Sequence, residues 1–339
     1  MFAVRAICPT VGEKSEQAYA WFRSPAPTVN AWPKGCSCRR FRRIDLPVMS
    51  EWITDRPELS EEAAHSRASV LRSRAESYIA LGRHDAAIAD LTESIALVPD
   101  NARAWRLRGE SHRVTGRHDA ALEDFDEALK LEPDSAYALG SRGQTYAAMG
   151  RLEEAMDDFE HALTLSPDSL WILEAKADAL ADLDRLDEAL ETHTKIIALD
   201  ESLAYSWVAR GDLYQRMQLY PEAVDDYARA LEAEPDHVRA LSRRGEALRM
   251  LDRYEEALAD LNRALELDPG NDRALGSRGA VLSELGDNEA ALADLDKATE
   301  LDPEYIWAYR VRGEILQELD RHEEAVSDFT RALHLQFGD

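Results

Sequence analysis

Proline stands at Pro99, Pro133, Pro167, Pro235, Pro269 and Pro303, a ladder with a 34-residue step and one missing rung, where Glu201 sits. Ala87, Ala121, Ala155, Ala189, Ala223, Ala257, Ala291 and Ala325 keep the same step. Eight copies therefore run over 68–101, 102–135, 136–169, 170–203, 204–237, 238–271, 272–305 and 306–339. A fixed period of this length describes one supersecondary unit that cannot bury its apolar face alone and stacks on its neighbours. The array is the folding unit.

Each copy reads as a helical hairpin. In its first half, residues such as Trp207, Gly211 and Tyr214 fall four and three apart and share one helix face. In its second half, Ala121, Leu122, Phe125, Ala128 and Leu129 form another helical stripe with acids between them. Gly82, Gly116, Gly150 and Gly286 lie between the halves, where glycine takes the left-handed conformation that ends a helix. The proline then stops the second helix.

Trp207, Gly211, Tyr214, Ala223, Tyr227 and Pro235 match W-x2-L-G-x2-Y, then A-x3-F, then P. The chain thereby resembles the tetratricopeptide repeat family over 68–339. The resemblance implies an all-α, right-handed superhelical solenoid of antiparallel helix pairs whose first helices line an inner groove. One departure is systematic. Where the family pattern has Leu before the glycine, this chain has Arg74, Arg108, Arg142, Lys176, Arg210, Arg244, Arg278 and Arg312.

Sixteen residues after each of these stand Asp90, Asp124, Asp158, Thr192, Asp226, Asp260, Asp294 and Asp328, so the lysine coincides with the missing aspartate. Residues equidistant from a hairpin turn come level. Seven charge-assisted Arg–Asp pairs are the expectation, in preference to a free carboxylate-binding row. The fourth copy carries Lys176, Ala177, Asp184, Thr192, His193 and Glu201 in place of the recurring residues. A flexible joint and neutral drift are both open there.

The formal charge of −26 comes from the repeats: residues 1–67 hold 10 basic and 8 acidic groups, which leaves 30 and 58 for the array. That balance argues against nucleic acid, whose phosphates need clustered Lys and Arg. No stretch reaches the roughly 20 apolar residues of a membrane span, and Arg5 interrupts any signal-peptide core. A cytoplasmic protein is the default reading.

Residues 1–48 lack the period. They hold Cys8, Cys36, Cys38 and the basic run Arg39, Arg40, Arg42 and Arg43. Disorder is expected there, and a two-cysteine metal or redox site is disfavoured for want of further ligands. The preferred reading is that Met49 starts the native protein and the leader is a gene-model artefact, which an intact mass beginning at Met1 would overturn. Residues 49–67 read as a linker and a helix extension opened by Ser60, Glu61 and Glu62.

The second, fifth, ninth, twelfth and thirteenth positions of the copies should face the groove. Over eight copies these hold nine basic and ten acidic residues, so the groove is near neutral. Within it, Arg72, Arg103, Arg106 and Arg113 form a basic end, and Glu174, Asp178, Asp182 and Asp212 an acidic one. Tyr137, Trp171 and Tyr205 stand between, and Arg239 follows. Aromatic anchors flanked by opposite charges suit an extended peptide or partner helix. Packing of the same rings on a neighbouring helix is equally open. Some family members hold C-terminal carboxylates in a clamp of five basic and amide residues. Only Arg239 and Arg243 match its placement, with Glu174, Asp178 and Ala209 at the other positions.

No catalytic pair, metal set or cofactor motif stands out. His322-Glu323-Glu324-Ala325-Val326 lacks the second histidine of a zinc-protease helix, and the twice-occurring Ala-Leu-Gly-Ser-Arg-Gly (138–143 and 274–279) lies within a helix, not after a strand. Phe329, Leu333 and Phe337 end the last copy without a covering helix, which suggests self-association there. The chain reads as a non-catalytic scaffold for a protein or peptide partner. The alternative is a regulatory or substrate-recruiting subunit of an enzyme complex, for example in glycosyl transfer, with catalysis on another chain.

Overall fold

The computed structural model describes residues 60–338, which form sixteen α-helices and no strand. They pair in order: α1 (Glu61–Ala80) with α2 (His84–Leu97), α3 (Ala102–Val114) with α4 (His118–Leu131), α5 (Ala136–Ala148) with α6 (Leu152–Leu165), and α7 (Leu170–Asp182) with α8 (Leu186–Leu199). The other four pairs are α9 (Ala204–Arg216) with α10 (Tyr220–Ala233), α11 (Val238–Arg249) with α12 (Tyr254–Leu267), α13 (Asp272–Glu284) with α14 (Asn288–Leu301), and α15 (Ile306–Glu318) with α16 (His322–Phe337). Each pair packs on the next, as a solenoid requires. The readings of residues 1–48 and of the linker before Ser60 lie outside the described residues.

The turn inside each pair needs one left-handed residue. Gly82, Gly116, Gly150 and Gly286 supply it with φ between +68° and +84°. In the other four pairs Asp184, Gln218, Asp252 and Asp320 take the same conformation, at φ +56° to +61°. The missing proline changes nothing in the helix it should stop: α8 has 14 residues, like α6 and α10. Asp200 shapes the turn that follows, its carboxylate accepting hydrogen bonds from the Ser202 amide (2.9 Å) and hydroxyl (2.6 Å), as Asp268 and Asp302 accept from amides two residues on beside their prolines.

Inside each pair the recurring alanine lets the helices approach, and Ala87 through Ala291 are fully buried. A glycine on the first helix faces a large side chain on the second. A Cβ at Gly143 would lie 2.8 Å from Phe159, and one at Gly211 2.7 Å from Tyr227. Phe125, Phe159 and Tyr227 are wholly buried there, each worth about 1.5–3 kcal/mol in burial. The fourth pair keeps this fit by a double exchange, Ala177 replacing the glycine and His193 the large side chain. Phe329 likewise tucks against Gly313 and is half-buried, whereas Leu333 and Phe337 are exposed.

All seven expected Arg–Asp pairs form, each through Nε and Nη2 to both carboxylate oxygens at 2.6–2.8 Å, from Arg74–Asp90 to Arg312–Asp328. The remaining guanidinium nitrogen often crosses to the preceding repeat. Nη1 of Arg108, Arg142, Arg210, Arg278 and Arg312 donates to Thr92, Asp126, Thr194, Asn262 and Asp296. Lys176 keeps that crossing arm, reaching Glu160 at 3.4 Å. The family's leucine is thus replaced by a staple that closes each hairpin and ties it to its neighbour.

Candidate functional site

Two adjoining cavities open along the first helices. One, of about 530 Å³, is lined by Asp178, Ala181, His193, Ala209, Asp212, Leu213, Gln215, Arg216, Arg239 and Arg243. The other, of about 610 Å³, shares Gln215, Arg239 and Arg243 and continues past Ser242, Glu246, Asn271, Arg273 and Ser277 to Tyr305 and Trp307. The second, ninth, twelfth and thirteenth repeat positions are thus represented, with Ser242 at the fifth. The sixth joins them through Ala209, Arg243 and Ser277.

The basic end expected on α1 and α3 is not a free cationic patch. Arg103 pairs with Glu76 at 2.9 Å, and Arg113 binds Glu110 one turn away through two bonds of 3.0 and 2.6 Å. Among the described residues, Arg72 reaches only the Ser69 hydroxyl, at 3.5 Å. Acids one turn or one repeat distant consume the charge, because side chains three apart on a helix face each other. Arg106 is different: its guanidinium lies 4.2 Å above the Tyr137 ring.

Tyr137 in turn meets Trp171, with centroids 5.4 Å apart and planes at 49°. Trp171 is half-buried because it wedges onto α5. A Cβ at Gly140 would come within 2.4 Å of its ring. For this residue the structure selects packing on the neighbouring helix, and Tyr137 and Tyr205 remain 43% exposed. Tyr205 donates its hydroxyl to Glu174, so that acid also has a partner.

Asp212 is a hub. It accepts from the Tyr227 hydroxyl at 2.8 Å, pairs with Arg239, and lies 3.4 Å from Nε of Arg243. Burial and the Asp212 charge push the Tyr227 phenol far above its ordinary range. Asp178 has no ion-pair or hydrogen-bond partner among the described residues. Lost hydration in the groove wall, then the like charges of Asp182 and Glu174, raise its carboxyl above the usual range, with Arg239 opposing. His193, buried beside the same cavity, has an Nδ1 without a partner, and burial together with Arg210 lowers its imidazole to about 4.

At the far end, Arg273 is exposed and unpaired among the described residues. Tyr305 and Trp307 form the wall beside it, their rings 5.9 Å apart. Both approach α13 at Gly276, where a Cβ would lie 3.0 Å from Tyr305 and 3.1 Å from Trp307. Gly140 and Gly276 occupy the same place in the repeated Ala-Leu-Gly-Ser-Arg-Gly, and each is followed by a tryptophan at the second position of the next repeat. That recurrence was the available signal for Tyr305 and Trp307, which the charge pattern alone passes over.

Tetratricopeptide repeat models match residues 72–129 and 208–272, 109–183, and 279–320, together well over half the chain. The chain belongs to the tetratricopeptide repeat family. Among solved structures, a tetratricopeptide repeat protein from Parabacteroides merdae is 23% identical with a TM-score of 0.60, over 70% of this chain and 94% of that one. PilF from Pseudomonas aeruginosa is 18% identical with a TM-score of 0.54, over 62% and 96%. These likenesses establish the fold. No curated protein matches the chain. Among the described residues of this tetratricopeptide repeat protein, no helix is long and apolar enough to cross a membrane.

Proposed function

We propose that this protein is a non-catalytic interaction scaffold that holds an extended peptide segment of a partner in the groove along its first helices. One observation carries the reading. The Arg–Asp staples are satisfied internally, whereas Asp178 and Arg273 line the two cavities with no partner among the described residues. Unpaired charge of both signs along continuous cavities suits a segment that carries the complementary charges in order. The exposed rings of Tyr137 and Tyr205 offer area at small entropic cost.

Panning a random-peptide library on the full chain tests the proposal. Enriched peptides should compete with one another, and Asp178→Arg combined with Arg106→Glu should weaken them at least tenfold with unchanged circular dichroism. Peptides that bind this variant as tightly as the parent would place recognition elsewhere.

A further inference from the structure

The cavity that runs from Gln215 to Trp307, over the fifth to eighth repeats, combines apolar surface with several hydrogen-bond donors. Ser277 is 7% exposed, and its hydroxyl has no hydrogen-bond partner among the described residues. The Tyr305 hydroxyl is likewise unpartnered, beside the unpaired guanidinium of Arg273. Asn271 uses its carbonyl to cap α13, accepting from the Ala274 amide at 2.9 Å, which leaves the NH2 group free. Gln215 lies 2.9 Å from the Tyr227 hydroxyl, whose single proton goes to Asp212, so its amide is already engaged there. The one carboxylate of the lining, Glu246, is held by Arg249 at 2.9 Å.

The charges do not cancel. Arg239 and Arg243 pair with Asp212, and the Asp178 carboxyl also lies within the field of Arg239, whereas Arg273 has no acidic partner among the described residues. An unmatched guanidinium beside the unpartnered hydroxyls of buried Ser277 and half-buried Tyr305 is complementary to an acceptor-only anion. A cationic side chain would offer those donors no acceptor, and a neutral amide only one oxygen and no charge for the guanidinium. Trp307 and the ring of Tyr305 supply an apolar wall against which the group next to the anion can pack.

We infer that this cavity is an oxyanion subsite that takes a carboxylate or phosphate side chain of a partner peptide together with a neighbouring apolar group. The inference rests on the groove reading above and narrows its ligand: at this end the segment is acidic or phosphorylated. Arg273 is the unpaired charged contact with Arg243 beside it, Ser277, Tyr305 and the Asn271 amide are the neutral donors, and Trp307 is the apolar floor. The subsite works against the net charge of −26, so its selectivity comes from short-range donors and not from long-range attraction.

The test uses the full chain and three probes of similar shape, phenyl phosphate, 3-phenylpropionate and 3-phenylpropionamide, titrated by calorimetry and by NMR of the arginine Nε–H signals. One or both anions should bind, with the amide at least tenfold weaker. Phosphate preference over carboxylate would identify a phosphorylated segment, and the reverse an acidic one. Arg273→Ala should weaken the anions at least fivefold and Ser277→Ala severalfold. Arg83→Ala, which removes an exposed charge on the first repeat, should do neither. Equal binding of the amide, or equal effects of Arg273→Ala and Arg83→Ala, overturns the inference. If the parent chain captures library peptides through Asp178 yet ignores all three probes, the subsite falls and the groove reading stands.

Discussion

Arg244 and Asp260 form the cleanest member of the staple series. Their two bonds, at 2.6 and 2.7 Å, are the only side-chain hydrogen bonds of Arg244 among the described residues, because Ala228 stands where other repeats offer an acceptor. Removing one partner strands a charge that is mostly shielded from water, so Asp260→Ala should cost about 2–3 kcal/mol. A double-mutant cycle with Arg244→Ala should show coupling of about 1–2 kcal/mol. Urea denaturation measures both, and additive losses would refute the pairing. His193 carries a pH signature. Burial, with Arg210 adding to it, holds its imidazole at about 4, below the ordinary value of about 6.5. The unfolded chain therefore gains a proton at a pH where the native chain does not. The stability tied to neutral His193 is complete above about pH 6.5 and is lost as pH falls toward 4, with about 3 kcal/mol as its ceiling. His193→Leu, which copies the buried Ala75–Leu91 fit of the first repeat, should flatten stability between pH 7 and 4.5 in thermal scans.

Helix against helix, the determining residues are the small ones. Gly140 on α5 admits Trp171 of α7, and Gly276 on α13 admits Tyr305 and Trp307. Gly140→Ala forces a ring aside and should destabilise by about 1–3 kcal/mol despite the better helix propensity of alanine. Gly276→Ala should also move the aromatic wall. Its expected outcome is weaker binding of phenyl phosphate or 3-phenylpropionate beyond any change in melting temperature. The helices themselves could be read in the sequence, because the 34-residue step and the apolar spacing agree in every copy and turn glycines mark four of them. The wedge of an aromatic ring into the backbone of a preceding helix could not, because it joins residues some thirty positions apart whose facing depends on how one repeat is set on the next.

Across the array, stability is a sum of repeat and interface contributions, and the staples act on both. Arg210 binds Asp226 in its own repeat and Thr194 in the one before, in the middle of the solenoid. Arg210→Leu should broaden urea unfolding or split it into two phases. Arg312→Leu in the last repeat should only fray that end, a contrast that hydrogen exchange resolves. The period, the hairpin order and the seven Arg–Asp pairs follow from residue spacing alone, since each depends on positions level with one another across a single turn. The partners of the groove charges depend on more. Arg103, Arg113, Glu174 and Asp212 looked free in the sequence and are paired in the fold, whereas Asp178 and Arg273 stay unpaired. Long side chains choose among several neighbours on adjacent helices, and that choice is made by the angle and offset between repeats, which spacing along the chain does not encode.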